Sequence, residues 1–235
     1  MNSLRTPSSS TLHGRPTINH DSQAPNVLLL DLDGVLLDTR PVMEHAWQRV
    51  QEDHGLDVPF KEYERHLGRP FADIMERLGL ADAEPLHRTY AEASTAASHL
   101  AREFDGVADV LHAFAAADWP LGIVTSKALD RAAPLLAGLG CPFATVRTPN
   151  GGGRGKPAPD PVLLALIDLS VDPADAVYVG DMAVDQEAAR RAGVPYVHAG
   201  WGYGHPGSPS PAVAESPRDL LRLLAPGPFL EGSLV

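Results

Sequence analysis

Asp31 and Asp33 stand two residues apart at the end of the apolar run Val27 to Leu30 and open onto Gly34. Two carboxylates delivered together suit nucleophilic attack by one and proton transfer by the other, or a shared hard cation. Asp33-Gly34 is also ordinary turn chemistry, and Asp31 can cap the next turn of the chain, so the pair alone leaves both readings open. Three further segments repeat the pattern of polar residues waiting beyond an apolar run. Ile123 to Lys127 ends with Thr125 and Ser126, hydroxyls that donate to an anion beside backbone N–H groups or simply cap a helix. Gly155 to Pro161 holds Lys156 in a proline-stiffened loop, which can aim a compact positive charge at a phosphate or carboxylate. The chain has 16 arginines but only three lysines, Lys61, Lys127 and Lys156, and two of the three fall in these segments. Val177 to Asp185 adds Asp181 at a strand end and Asp185 near the next helix start. If these carboxylates converge they repel unless a cation neutralises them, and hard oxygen ligands favour Mg²⁺ over zinc.

These residues need a scaffold that brings strand ends together. Val27 to Leu30 is apolar without alternation, as a strand buried on both faces of a parallel sheet requires. From 40 to 105 the pattern is helical, with predicted helices at Pro41 to His54, Phe71 to Leu78 and Pro85 to Phe104. From Gly106 strand and helix alternate again, which is the signature of a parallel sheet with crossovers. Helices are predicted at Val107 to Ala117, Ala128 to Leu139, Pro161 to Leu169 and Val184 to Ala192. Strands are predicted at Leu121 to Thr125, Phe143 to Val146, Ala176 to Gly180 and Pro195 to His198. The predicted layout is a sheet domain split into 26–39 and 106–225, a helical insertion at 40–105, a disordered tail at 1–25 and a loose end at 226–235.

The 235 residues carry 44% hydrophobic content and a net charge of −11, as expected for a globular chain. An acidic balance argues against nucleic acid or an anionic membrane as the main partner but leaves an anionic small molecule open. No apolar run reaches membrane-span length, residues 1–25 lack a signal-peptide core, and Cys141 has no second cysteine to pair with. A cytoplasmic location is expected.

In this order the segments DLDGVLLDT, IVTS, GKPAPDP and GDMAVD resemble the four motifs of the haloacid dehalogenase superfamily of phosphotransferases, across nearly all of residues 26–205. The resemblance implies an α/β fold: a Rossmann-like, doubly wound parallel sheet, first strand central, with an inserted all-helical cap. It implies Asp31 as the nucleophile that forms an aspartyl phosphate and Asp33 as the acid and base. Thr125, the Ser126 backbone N–H and Lys156 would bind phosphate. Mg²⁺ would sit on the Asp31 carboxylate, the Asp33 backbone carbonyl and Asp181, with Asp185 touching the ion or its ligands. Dehalogenases of the superfamily lack the second aspartate, so Asp33 argues against that activity.

A helical cap directly after the first motif resembles the phosphoglycolate phosphatase and β-phosphoglucomutase group. In the mutase pattern a histidine follows the Asp-Thr pair and an arginine follows a cap glycine. Met43 and Phe71 stand at those places here. That favours hydrolysis over phosphoryl return to a sugar. Arg40, His45, His66 and Arg69 are the expected cap contacts for the non-phosphate end of a small phosphorylated metabolite. Trp201 to Gly204 resembles the tail of phosphoglycolate-type members, and Tyr63 to Met75 resembles phosphatase-like proteins of aminohydroxybenzoate biosynthesis. The expectation is a Mg²⁺-dependent phosphatase; a sugar phosphomutase, or a non-catalytic partner that keeps the fold, are the alternatives.

Overall fold

The structure is a computed structural model that describes residues 26–149, 154–207 and 211–224. The tails expected at 1–25 and 226–235 lie outside the described residues. Six parallel strands form the sheet: β1 (Val27–Leu30), β4 (Leu121–Val124), β5 (Thr145–Arg147), β6 (Ala176–Gly180), β7 (Tyr196–Ala199) and β8 (Ala212–Ala214). Their order is β5-β4-β1-β6-β7-β8, so β1 is flanked by β4 and β6. The two-residue period of a strand sends Leu28 and Leu30 to one face and Val27 and Leu29 to the other, and both faces are covered. On the first face the strands pack on α5 (Val107–Ala116), α6 (Leu129–Gly138) and α9 (Asp219–Leu224). On the second they pack on α7 (Asp160–Leu169) and α8 (Ala183–Ala192). Burial on both faces is why these strands read as unbroken apolar runs.

The insertion holds α1 (Arg40–His54), α2 (Phe60–Glu64), α3 (Phe71–Arg77) and α4 (Ala83–Ala96). Its own core gathers Met43, Trp47, Tyr63, Ile74, Leu86 and Tyr90, with Trp47 fully buried and its indole N–H donating to the Val58 carbonyl at 2.7 Å. Met182 and Tyr203 of the sheet domain pack against this second core, so cap and sheet meet through side chains.

The predicted helix from Pro85 to Phe104 is too long. α4 stops at Ala96, a 3-10 turn covers Ser98–Leu100, and Arg102–Glu103 becomes strand β3. β3 pairs antiparallel with β2 (Leu37–Asp38), forming the two-strand ribbon through which the chain leaves and re-enters the sheet domain. Ladder pairing between residues more than sixty positions apart overrides local helical preference, and periodicity cannot register it. The sequence pattern does not predict the short helix α2 or the edge strand β8. The strand expected at Phe143 to Val146 lies slightly later, at Thr145–Arg147.

Candidate active site

The carboxyl ends of β1, β4 and β6 place the chemically loaded residues together, as open parallel sheets do. Asp31 follows β1 directly, is 3% exposed, and keeps its backbone N–H on the Val179 carbonyl at 2.9 Å. Gly34 then turns the chain at φ +80, where a Cβ would collide with the Asp181 carboxylate, so only glycine lets this loop close over Asp181. The turn leads into the ribbon, so the loop carrying Asp33 is anchored at both ends.

Lys156 is 1% exposed and lies 3.1 Å from Asp31 Oδ2 and 2.6 Å from Asp185 Oδ1. Its ammonium also donates to the Val124 carbonyl at 3.3 Å and to the Tyr178 hydroxyl at 3.2 Å. Burial would depress the ammonium's pKa, but Asp185 and Asp31 outweigh it and raise it. For Asp31 burial dominates: its carboxyl is pushed up to about 7 against the pull of Lys156, with Asp185 and Asp33 adding to the rise. Burial, then Asp185 and Asp31, push Asp181 upward too.

Asp33 makes a separate set of contacts. Its Oδ1 accepts from the Thr39 hydroxyl and lies 3.1 Å from the buried Lys127 ammonium. Lys127 is not among the predicted site residues, although the scarcity of lysine points to it. The Thr125 hydroxyl accepts from the Lys127 backbone N–H at 3.1 Å, leaving its own proton to donate. Ser126 turns its hydroxyl away to the Gly68 carbonyl at 2.7 Å and so ties this loop to the cap. Gly68, at φ +82, lies against Val184 where a side chain would clash.

A cavity of about 60 Å³ separates the sheet edge from the cap and reaches Asp31, Asp33, Thr125, Ser126 and Lys127 on one side. Across it stand Met43, Tyr63, Phe71, Ile74 and Tyr90. Of the four predicted cap contacts, Arg69 lines this cavity, whereas Arg40, His45 and His66 do not. Arg40 and His45 are exposed, and Arg40 extends to Glu64 at 2.5 Å, which links α1 to α2 on the surface. The half-buried His66 precedes the stretch Leu67 to Arg69 that does reach the cavity. Tyr90 escapes prediction because its helical spacing reads simply as core, Tyr63 because its short helix α2 is not predicted, and Phe71 is predicted only as the residue standing at the mutase arginine's place.

The tail at Trp201 to Gly204 does more than pack on the sheet. The Tyr203 hydroxyl accepts from the backbone N–H groups of Thr39 at 2.7 Å and Arg40 at 3.1 Å, and lies 3.0 Å from Asp38 Oδ1. Its backbone N–H donates to Asp181 Oδ2 at 2.8 Å. One residue thus joins an acidic side chain of the site to the root of the cap.

Asp31, Asp181 and Asp185 each offer a carboxylate oxygen, all within 4.8 Å of one another. Asp181 Oδ1 is buried with no hydrogen-bond partner, an expensive arrangement unless something positive meets it. Asp185 is already satisfied by Lys156, Tyr178 and the Met182 backbone N–H. Four carboxylates against two lysines leave negative charge uncompensated, and an all-oxygen donor set fits Mg²⁺.

The sequence model of the haloacid dehalogenase-like hydrolases matches residues 28–199. The chain belongs to that family. A relative from Pseudomonas aeruginosa, named N-acetylmuramic acid 6-phosphate phosphatase, is 31% identical across 84% of this chain and 93% of its own. A phosphoglycolate phosphatase from Cupriavidus necator is 34% identical across 84% of this chain and 90% of its own. Among solved structures, a hydrolase from Pseudomonas syringae superposes with a TM-score of 0.77 at 25% identity, covering 86% of this chain and 98% of that one. No helix among the described residues is long and apolar enough to cross a membrane.

Proposed function

We propose that this chain is a Mg²⁺-dependent phosphatase that hydrolyses a small phosphate monoester in two displacements, with Asp31 as nucleophile and Asp33 as acid and base. The observation that carries the reading is the separation of the two carboxyl groups into different environments. Asp31 sits buried at the end of the central strand beside Lys156, whereas Asp33 faces the cavity between Lys127 and Thr39. Two groups that must do different things in one reaction need different surroundings.

In the first displacement an Asp31 oxygen attacks phosphorus while Asp33 gives its proton to the departing ester oxygen. The ester bond breaks and an aspartyl phosphate remains. In the second, Asp33 takes a proton from water, which attacks the same phosphorus and releases phosphate and a free Asp31. Thr125, the Ser126 backbone N–H and Lys156 stabilise the charge on the transferring oxygens, which is most of what catalysis of phosphoryl transfer requires. Mg²⁺, held by Asp31, the Asp33 backbone carbonyl and Asp181, would neutralise phosphoryl charge and let the dianion approach a carboxylate. Asp185 holds Lys156 in place through the 2.6 Å contact.

Met43 and Phe71 support hydrolysis over a mutase reaction, because both line the cavity where a sugar's hydroxyls would need polar partners. The test is phosphate release from a panel of phosphate monoesters with Mg²⁺ and with EDTA, for wild type and Asp31→Asn. Release that requires the metal and disappears in Asp31→Asn is expected. Metal-independent release, or an active Asp31→Asn enzyme, would overturn the proposal.

A further inference from the structure

Lys156 reaches more acceptors than it has protons. Its ammonium carries three N–H bonds. Four oxygens lie within hydrogen-bonding distance: Asp185 Oδ1 at 2.6 Å, Asp31 Oδ2 at 3.1 Å, the Tyr178 hydroxyl at 3.2 Å and the Val124 carbonyl at 3.3 Å. All belong to buried residues, where an acceptor left without a donor is costly. The phosphatase reading asks for one contact more, because the same ammonium must turn an N–H toward a transferring phosphoryl oxygen. Asp31, Asp185 and Val124 would by themselves occupy all three protons.

Tyr178 supplies a fourth proton. It is fully buried on β6, where it pairs with Leu29 of the central strand and faces the side of the sheet covered by α7 and α8. Its side chain passes the central strand, since its hydroxyl stands 3.1 Å from the carbonyl of Val124, the last residue of β4. The same hydroxyl lies 3.1 Å from Asp185 Oδ1. Val124 lies beyond Ile123, the last β4 residue paired with β1, and the Leu32 backbone N–H, next along that ladder, donates instead to Asp31 Oδ1 at 2.8 Å. The Val124 carbonyl therefore takes its hydrogen bonds from Tyr178 and Lys156. With the Tyr178 proton on that carbonyl, Asp31 and Asp185 need only two of the three ammonium protons.

Building on the phosphatase reading above, we infer that Tyr178 is a positioning residue: its hydroxyl holds the Val124 carbonyl so that Lys156 keeps one N–H for the transferring phosphoryl group. Phenylalanine at this place would fill the same space but leave Val124 to compete for that N–H.

The experiment measures kcat and KM for 4-nitrophenyl phosphate with saturating Mg²⁺, and the inhibition constant of orthovanadate, in wild type, Tyr178→Phe and Tyr196→Phe, with rates taken per folded molecule. Tyr196 is the control, because its ring centre stands 6.2 Å from that of Tyr178 and its hydroxyl donates to the Gly180 carbonyl at 2.8 Å rather than to a partner of Lys156. Tyr178→Phe is expected to lower kcat and to weaken orthovanadate by about tenfold or more each, with KM within about threefold of wild type. Tyr196→Phe should leave kcat and orthovanadate inhibition within about threefold while lowering stability. Adding Tyr178→Phe to Lys156→Met should change the residual rate by less than about twofold, because no ammonium proton remains to be kept free. Unchanged kcat and inhibition in Tyr178→Phe, equal losses in Tyr196→Phe, or a full further loss on the Lys156→Met background would overturn the inference and leave the phosphatase reading standing. A Tyr178→Phe chain that does not fold would make the hydroxyl a structural requirement and overturn the inference as well. No phosphate release by wild type would remove both.

Discussion

The sheet edge and the cap wall enclose one cavity with opposite materials. At the edge, Asp31 and Asp185 are buried against Lys156, Asp181 is buried with one oxygen unpartnered, and Asp33 meets Lys127 and Thr39. On the wall, Tyr63, Phe71, Ile74 and Tyr90 form a surface that holds itself together by packing. Buried charge is tolerable only when each group has its counterpart, so a change at the edge unbalances everything around it. An apolar wall responds to substitution gradually, through lost area and cavity volume. On the proposed function, the contrast separates the part of the protein that would do chemistry from the part that would select what reaches it.

The largest effects should follow from breaking the edge. Asp31→Asn should lower phosphate release by about 10³-fold or more while the folded state persists, because the proposed nucleophile is lost but the shape is kept. Retained turnover, measured by phosphate release, would move the chemistry elsewhere. Next, Lys156→Met leaves Asp185 without its counter-charge and removes the pull that lowers the Asp31 pKa. It should cost about 3–5 kcal/mol in chemical unfolding in EDTA and lower activity as well. If stability barely moves, Lys156 is not the counter-charge on which Asp31 and Asp185 depend.

The same edge should make the metal-free protein sensitive to pH. Asp31 has its pKa raised from 3.8 to about 7 by burial, so its neutral form is favoured in the folded state. Stability from this group is full below 3.8 and is lost as pH rises to about 7. Unfolding free energy in EDTA should therefore fall across that window, and Mg²⁺ should flatten the slope by stabilising the carboxylate. A slope of the opposite sign, or one unchanged in Asp31→Asn, would contradict the assignment.

Smaller effects are expected where the two regions join. Tyr203→Phe removes the acceptor for the buried Thr39 backbone N–H and should cost about 1–3 kcal/mol in thermal or chemical unfolding. A neutral result would mean that the cap root does not depend on this residue. Smallest of all, Arg40→Ala breaks only an exposed pair with Glu64 and should change stability by under about 1 kcal/mol. A large fall in kcat/KM for Arg40→Ala would bring Arg40 back to the substrate.

Much of the edge is legible in the chain itself. Three of its motifs follow a short strand directly and the fourth, at Lys156, comes nine residues after β5, so once the strands are placed in a parallel sheet the first three must meet at one end. Asp31, Asp33, Thr125, Asp181 and Asp185 can be named on that ground, and Lys156 through the motif resemblance. The wall cannot be read in this way. Tyr63 and Tyr90 come from different helices at spacings that serve packing equally well. Arg40 and His45 share helix α1 with Met43, but the rotation of α1 turns Met43 inward and leaves them in solvent.

The sequence by itself determined the parallel sheet, the helical insertion and the residues that crowd the sheet edge, because strand-end chemistry is local and its signals are contiguous. Only the tertiary structure decided which cap side chains face the cavity, that β2 and β3 form the ribbon, and that Tyr203 reaches both Asp181 and the cap root. Those facts depend on helix rotation and on contacts between residues far apart in the chain, and local patterning carries no record of either.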